Sequence, residues 1–278
     1  MPPVLLVIAA VSSVQFGAAL AKSLFDELGS GGTVFVRVLA AAIVLALIWP
    51  PRVRGHGRRD LAVVLALGLV LAGMNSAFYA SIDRIPLGAA VTFEFVGPLG
   101  VAVAFSRKAV DLLWVLLAGA GILLLADFGG GSLDTVGIAL ALVAGVFWGA
   151  YILLTARIGQ AFPGATGLTL AMIIAVVPLA PAGIAEGGAN LLAPSLLAIG
   201  AAVGILSTAV PQALELEALR HIPTGVFGVL MSLEPGIAAL AGYLLLDEGL
   251  VAREVIAILL VVVASAGAAY GATVAPRD

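Results

Sequence analysis

The sequence predicts an all-α integral membrane protein with ten transmembrane helices, arranged as two inverted five-helix repeats. Of its 278 residues, 62% are hydrophobic and only 10% are charged, whereas soluble domains carry about a quarter charged residues. Ten apolar segments are long enough to cross a hydrocarbon core of about 30 Å, and they cover residues 3–24, 33–49, 61–82, 88–105, 112–127, 135–156, 166–185, 195–219, 224–246 and 253–273. Since lipid offers backbone groups no hydrogen-bond partners, these segments must be helices.

The distribution of basic residues predicts the orientation. With the N-terminus in the cytoplasm, nine basic residues fall on the cytoplasmic side: Arg52, Arg54, Arg58, Arg59, Arg107, Lys108, Arg157, Arg220 and Arg277. At most four, Lys22, Arg37, Arg84 and Arg253, fall on the other side. This excess follows the positive-inside rule, so we expect both termini in the cytoplasm.

Several function classes are excluded by what the sequence lacks. There is no cysteine, hence no disulfide framework or thiolate site, and the net charge of −3 with no basic patch argues against nucleic-acid binding. The chain has no phosphate-binding Gly-Lys-[Ser/Thr] loop and no HExxH or GxSxG motif. We therefore expect no ATP motor, no enzyme activity, no cofactor and no metal.

The fourth predicted span contains an unusual combination of an acid and a proline. The turn Arg84–Gly88 leads into an apolar helix in which Glu94 precedes Pro98 by four residues. Proline has no N–H for the carbonyl four residues earlier, so the Glu94 carbonyl loses its helical partner. The sequence thus predicts a carboxyl group and a freed carbonyl at one level inside an apolar span.

This element recurs in the second half of the chain. A shift of 137 residues maps Ile85, Pro86, Gly88 and Pro98 onto Ile222, Pro223, Gly225 and Pro235, and it maps Asn75 onto Gln212. Five spans per half is an odd number, so residues 1–134 and 135–278 are predicted to be repeats of opposite topology, an arrangement recurrent in secondary transporters. The alternative is chance recurrence of a short helix-start motif. Pro86, Pro98, Pro211, Pro223 and Pro235 are the expected hinge or kink positions.

Three acids within spans are candidates for proton coupling. An ionisable residue at membrane depth costs about 2.5–3.5 kcal/mol and is a functional hypothesis by default. Glu94 suits a proton carrier because desolvation favours its protonated form, although a protonated Glu bonded to a neighbouring helix would also explain it. Glu234, directly before Pro235, has either a coupling or a structural role. Glu215 shares one helix face with Thr208 and Gln212, at spacings of four and seven residues, whereas Glu217 points elsewhere and is expected to pair with Arg220 or His221.

Polar and aromatic side chains on other spans complete the predicted binding cavity. Asn75 and Tyr79 lie one turn apart on span 3, Gln15 and Lys22 lie on span 1, and Trp148 and Tyr151 lie on span 6. Arg37, one turn into predicted span 2, would either contact substrate or extend to the outer surface. Paired glycines such as Gly145 and Gly149 predict close helix packing or a homodimer.

These residues carry a resemblance to a known family. The matching segments are Gly17–Phe25, Gly73–Tyr79, Ile85–Pro98, Leu206–Glu215 and Phe227–Pro235, with Arg37. Together they resemble the threonine/homoserine exporter branch of the EamA-type drug/metabolite transporter superfamily. The resemblance covers essentially the whole chain and implies ten helices, inverted repeats, location in the bacterial cytoplasmic (inner) membrane, and proton-driven efflux of small amino acids.

The resulting hypothesis is an amino-acid/proton antiporter that works by alternating access. A zwitterion needs a partner for each charge: Glu94 or Glu215 would meet the ammonium group, and Lys22 or Arg37, with Asn75 and Gln212, would meet the carboxylate. One acid among Glu94, Glu215 and Glu234 would exchange protons. The alternatives are a broader exporter of aromatic amino acids, purines or drugs, a channel, and a scaffold protein.

Overall fold

A computed structural model describes residues 2–53, 55–104, 110–126, 133–219, 221 and 230–273, and these residues are helical with short connections. Six helical stretches of this described chain are long and apolar enough to cross a membrane: Val4–Lys22, Phe25–Ile48, Arg58–Ile82, Thr135–Ala161, Thr166–Leu192 and Pro194–Ala218. The all-helical class is confirmed. The shorter helices lie where the sequence places proline or glycine in the apolar segments.

The first half contributes six helices: α1 (Pro3–Lys22), α2 (Phe25–Ile48), α3 (Arg58–Ile82), α4 (Leu87–Glu94), α5 (Val96–Ala104) and α6 (Val110–Ala126). The predicted start of the second span at residue 33 is wrong, since α2 begins eight residues earlier at Phe25. Asp26, Glu27 and a run of glycines interrupt the apolar pattern there. Gly29, with φ 69°, bends the chain within α2, a conformation that glycine adopts without steric cost.

The second half contributes α7 (Thr135–Ala161), α8 (Thr166–Gly187), α9 (Pro194–Gly204), α10 (Val210–Leu219), α11 (Glu234–Leu245) and α12 (Ala252–Thr273). A 3₁₀ turn at Gly188–Leu192 extends α8, and a π-helical turn at Ile205–Ala209 joins α9 to α10. The predicted span 224–246 is described only from residue 230, so Pro223 and most of the second Ile-Pro-X-Gly turn lie outside the described residues.

Predicted span 4 is divided into two short helices. α4 ends at Glu94, where the Phe95 amide bonds the Val91 carbonyl, and α5 starts at Val96. Pro98 is the third residue of α5, in the first turn, where a missing N–H costs no hydrogen bond. Pro211 and Pro235 occupy the second positions of α10 and α11, and Pro86 immediately precedes α4.

The helices pack in pairs that join the two halves of the chain. α1 contacts α10, α2 contacts α8, α3 contacts α7, α4 contacts α11, and α6 contacts α12. Further contacts link α3 with α8, α2 with α9, α4 and α5 with α7, and α1 with α11. The core therefore lies between the halves rather than within each half.

Glycines bring these helices into backbone contact. A Cβ atom added at Gly145 of α7 would lie 2.5 Å from the Glu94 carbonyl oxygen, and one added at Gly88 of α4 would lie 2.8 Å from the Ala239 Cα atom. Gly145 and Gly149 thus serve packing within the chain, as the sequence indicates for small residues four apart. The expected homodimer stays a prediction.

Candidate functional site

A buried cavity of about 100 Å³ lies between α1, α2, α3, α4, α7, α10 and the start of α11. It gathers nine of the ten residues that the sequence nominates for substrate binding, namely Gln15, Arg37, Asn75, Tyr79, Glu94, Trp148, Tyr151, Gln212 and Glu215. Glu234, the third predicted coupling acid, lines the same cavity. The polar side chains of seven helices therefore converge on one space.

Arg37 is the buried cation of this cavity. Arg37 lies about two turns after the kink at Gly29 rather than one turn from the helix end, and only 5% of it is exposed. Its Nη1 donates to Ser207 Oγ at 3.1 Å and Thr208 Oγ1 at 2.9 Å, and its Nη2 donates to Asn75 Oδ1. The alternative that Arg37 extends to the outer surface is therefore wrong.

The guanidinium group of Arg37 keeps unused donors. It carries five N–H groups; the bonds to Ser207, Thr208 and Asn75 use three of them, and the Nε donor has no partner among the described residues. The Tyr79 ring lies against the guanidinium, with 4.5 Å between Cζ and the ring centroid. Within the described chain, no carboxylate forms an ion pair with Arg37. A buried cation with neutral partners and free donors suits an anionic ligand.

The π-helical turn and Pro211 position the partners of Arg37. Proline at 211 cannot bond the carbonyl four residues earlier, which belongs to Ser207, and that carbonyl lies 3.5 Å from Arg37 Nη1. Ser207 Oγ also donates to the Val203 carbonyl at 2.7 Å. π-helical turns are frequent at functional sites. Sequence analysis missed Ser207, although the position four residues before Pro211 could have drawn attention to it.

Glu94 lies at the end of α4 with 7% of its surface exposed, on the cavity wall. Its backbone carbonyl lies against Gly145, where only a glycine leaves room. The predicted combination of a carboxyl group with a carbonyl released at the Pro98 break is therefore present, although the carbonyl is covered by α7. Glu94 and Arg37 line the same cavity.

Glu234 is held by Gln15 across the two halves of the chain. Gln15 Nε2 donates to Glu234 Oε1 at 2.9 Å, and both side chains are buried. The other oxygen of each group, Gln15 Oε1 and Glu234 Oε2, is buried without a hydrogen-bond partner in the part of the chain that the structure describes. This pair therefore presents two adjacent acceptors, one of them on a carboxylate.

The predicted stripe on α10 faces the cavity along its length. Thr208, Gln212 and Glu215 all line the cavity wall, and Gln212 Oε1 is buried without a partner. Trp148 and Tyr151 of α7 lie on the wall as well, with the Trp148 ring packed edge-on against Phe95 at 5.3 Å between centroids. The roles of these residues stay predictions.

Lys22 lies away from the cavity. Its Nζ bonds Glu248 Oε1 at 2.7 Å, and Glu248 Oε2 accepts from the Leu87 amide at the start of α4 at 2.9 Å. Glu248 was not among the sequence candidates for the site, because an acid in a short connection is ordinarily solvated. The structure therefore places Lys22 in a contact between α1, α4 and the α11–α12 connection.

Comparisons with known proteins decide the family. Residues 135–270 match the EamA-like transporter family. The chain is 40% identical, over 95% of its length and 90% of the relative's, to a threonine/homoserine exporter RhtA of Salmonella typhimurium strain LT2, and 39% identical over the same shares to one of Escherichia coli strain K12. The chain belongs to the EamA-like transporter family.

Membership of this transporter family confirms the predicted multi-pass membrane protein and the expectation that it is not an enzyme. A solved crystal structure of a protein covers 96% of this chain and 96% of its own chain, with a TM-score of 0.62 and 16% identity. That likeness shows the fold alone. The family assignment makes the central cavity the first candidate for the transported molecule.

Proposed function

We propose that this EamA-family transporter exports small hydroxy amino acids, such as threonine and homoserine, across the bacterial cytoplasmic membrane in exchange for protons. The observation that carries the proposal is the pairing, in one small cavity, of a buried arginine with free donors and three buried or half-buried acids. The names of the relatives that are 39–40% identical over almost the whole chain support the same substrate class.

The two charges of an amino acid fit opposite groups of this cavity. Arg37 offers its Nε donor and a second free N–H to a carboxylate. Glu94, Glu215 and Glu234 are the candidates for the ammonium group and for the exchanged proton. With Lys22 engaged by Glu248, Arg37 is the favoured carboxylate partner of the two basic residues that the sequence nominates.

The architecture that we propose consists of ten spans in two inverted halves, residues 1–134 and 135–278. Under this equivalence α1 corresponds to α7, α2 to α8, α3 to the α9–α10 span, the α4–α5 span to the one containing α11, and α6 to α12. The observed contacts support this equivalence, because contacts between the halves occur in related pairs. When the two halves are exchanged, the α3–α7 contact corresponds to α1–α10, the α3–α8 contact to α2–α9, and the α4–α7 contact to α1–α11. All of these contacts occur. The break at Phe95 and the one at Ser232 are 137 residues apart, the shift found in the sequence.

The proton gradient and the membrane potential supply the driving force in this scheme. Moving one charge across the potential contributes about 2.3 kcal/mol per 100 mV, which corresponds to roughly 50-fold accumulation. With both termini in the cytoplasm, the C-terminal end of α1 and the N-terminal end of α4 lie at the outer surface. Protons therefore enter from that side.

The volume of the cavity favours a small substrate over the broader alternative of aromatic amino acids, purines or drugs. Pockets for drug-sized ligands typically enclose about 300–1,000 Å³, and this cavity encloses about 100 Å³. In this conformation the space accommodates only a molecule with few non-hydrogen atoms.

The proposal is tested by measuring threonine and homoserine flux in proteoliposomes that contain the purified transporter, with and without an imposed pH gradient. We expect flux that depends on the gradient and that excess unlabelled threonine suppresses more strongly than phenylalanine or adenine does. Equal suppression by all three compounds would support the broader exporter, and the absence of gradient-driven flux would refute the antiporter. Planar-bilayer currents at the noise level are expected, in contrast to a channel.

A further inference from the structure

Besides the Tyr79 hydroxyl, the cavity contains three positions where a buried polar atom has no hydrogen-bond partner among the described residues. At the first, the Nε donor of Arg37 is free; at the second, Gln15 Oε1 and Glu234 Oε2 are free on side chains already joined to each other; at the third, Gln212 Oε1 is free. Buried polar groups in native proteins are almost always paired. Unpaired atoms around a transport cavity therefore indicate which groups a ligand supplies.

The three positions differ in their chemistry. A guanidinium group only donates, so Arg37 requires an acceptor such as a carboxylate. The Gln15–Glu234 pair presents two acceptors, one on an acid, which suits an ammonium group with its three N–H donors. Gln212 presents a single neutral acceptor. A carboxylate cannot hydrogen-bond Gln212 Oε1, because both groups only accept hydrogen bonds, whereas a hydroxyl group can donate to this oxygen.

We propose that Gln212 is a specificity-determining residue that hydrogen-bonds the side-chain hydroxyl of the transported amino acid. This inference rests on the proposed function and assigns to Gln212 a role different from the carboxylate contact that the sequence suggested. A hydroxyl group both donates and accepts, so it matches the amide of Gln212 in either orientation.

The position of Gln212 on α10 agrees with this assignment. Gln212 follows Thr208 by four residues and precedes Glu215 by three, so the three side chains share one helix face. Thr208 bonds the guanidinium of Arg37 at 2.9 Å. Gln212 thus lies on the cavity wall next to Thr208, a partner of Arg37, in the cavity that also holds the Gln15–Glu234 pair, so that it is available to the side chain of an amino acid bound by both.

The consequence is a preference for hydroxy amino acids over their methyl isosteres. Valine replaces the hydroxyl of threonine by a methyl group, and norvaline does the same for homoserine, with little change of shape. Each isostere would leave Gln212 Oε1 without a partner. The loss of one such hydrogen bond corresponds to a preference of about tenfold.

The experiment measures inhibition of radiolabelled threonine exchange in proteoliposomes by the pairs threonine and valine, and homoserine and norvaline. We expect a preference of about tenfold for the hydroxylated member in the wild-type protein and a ratio near one in Gln212→Met and Gln212→Leu, with inhibition by valine maintained. Gln15→Leu is the matched control, since its position serves the ammonium group common to all four compounds. It should weaken both members of each pair equally and leave the ratio unchanged.

Gln212 variants that fold and keep the tenfold ratio would overturn the assignment. A wild-type transporter that carries threonine and valine equally well would overturn it too, while leaving an amino-acid exporter in place. If the wild-type protein carries no amino acid, the proposed function itself fails, which is a distinguishable result. If neither Gln212 variant folds, thermal-shift measurements on the wild type replace them, and equal stabilisation by threonine and valine would refute the hydroxyl contact.

Discussion

At the scale of single residues, the burial of Arg37 is the most consequential feature of the transporter. A buried cation is ordinarily paired with a carboxylate, yet Arg37 is held by the Ser207 and Thr208 hydroxyls, the Asn75 amide and the face of Tyr79. Neutral partners hold the guanidinium in place without neutralising it. Its charge and its free donors therefore remain available to a substrate.

Replacing Arg37 by lysine tests this arrangement. Lysine retains the charge but has only three donors on one nitrogen and no planar fork, so it cannot bond Ser207, Thr208 and Asn75 and also hold a carboxylate. We expect Arg37→Lys to reduce threonine flux at least tenfold, mainly through a higher KM. Arg84→Lys is the control, because Arg84 is half-exposed and lies 3.8 Å from Asp134, away from the cavity. Equal flux in the two variants would contradict the role of Arg37.

Glu94 permits a second test at this scale. Glutamine preserves the shape and one acceptor of the side chain but cannot exchange a proton. If Glu94 couples transport to the proton gradient, Glu94→Gln abolishes the stimulation of flux by an imposed pH gradient. Glu217→Gln serves as the control, since Glu217 is about half-exposed beside His221 at the end of α10. Gradient-driven flux in Glu94→Gln equal to that of the wild type would remove this residue from the mechanism.

At the scale of helices, the interruption between α4 and α5 beside the cavity is produced by proline and stabilised by glycine. Pro98 separates α4 from α5 at the level of Glu94, and Gly145 of α7 lies against the released Glu94 carbonyl. Gly97 and Gly145 approach each other closely as well. The cavity therefore has one wall in which backbone packs on backbone without intervening side chains.

Gly145→Ala tests whether this contact supports the fold. The added Cβ atom would lie 2.5 Å from the Glu94 oxygen, so helices α4, α5 and α7 would have to separate. Overpacking of this kind costs about 1–3 kcal/mol, and we expect a clear decrease of the Tm measured in detergent. Gly119→Ala is the matched control, since no described atom outside the backbone of its own helix lies within 4 Å of its added Cβ. There the better helix propensity of alanine should leave the Tm unchanged or raise it. A Tm of Gly145→Ala equal to that of the control would contradict the packing argument.

At the scale of the whole molecule, composition and periodicity were sufficient to predict the all-helical class, the positions of most helices and most of the residues that line the cavity. An apolar segment makes a polar residue conspicuous, so Gln15, Asn75, Glu94 and Glu215 could be nominated without coordinates. The sequence did not identify the partner of Lys22, because a lysine at a helix end gives the same sequence pattern whether it contacts substrate, lipid head groups or Glu248. It also missed Ser207 because a small hydroxyl residue in a span is too common to be informative. Identifying a side chain's partner in the other half of the chain requires knowledge of the tertiary fold.

We infer that the Lys22–Glu248 ion pair, which joins α1 to the α11–α12 connection, closes one end of the molecule. In the proposed orientation that end is the outer one, and other polar contacts between the halves lie there too: the Gly31 amide donates to Glu186 at 2.7 Å, and Asn190 donates to the Glu27 carbonyl at 2.7 Å. Glu248 joins three elements, because it also accepts from the Leu87 amide that begins α4. An exporter loaded from the cytoplasm requires such an outer closure, and release of substrate requires that it opens.

Neutralising Glu248 should weaken this closure. Glu248→Gln removes the charge that holds Lys22 but keeps an acceptor for the Leu87 amide, whereas Glu248→Ala removes both interactions. The chain has no cysteine, so a single Ala18→Cys reporter on the cavity wall, one turn before Lys22, reacts with a membrane-impermeant thiol reagent without background. We expect outside labelling of Ala18→Cys to accelerate several-fold with Glu248→Gln and further with Glu248→Ala. Glu254→Gln, which alters an acid at the start of α12 that accepts a hydrogen bond from the nearby Val251 amide, should leave the labelling rate unchanged. Identical rates in all four backgrounds would show that the ion pair does not control access to the cavity.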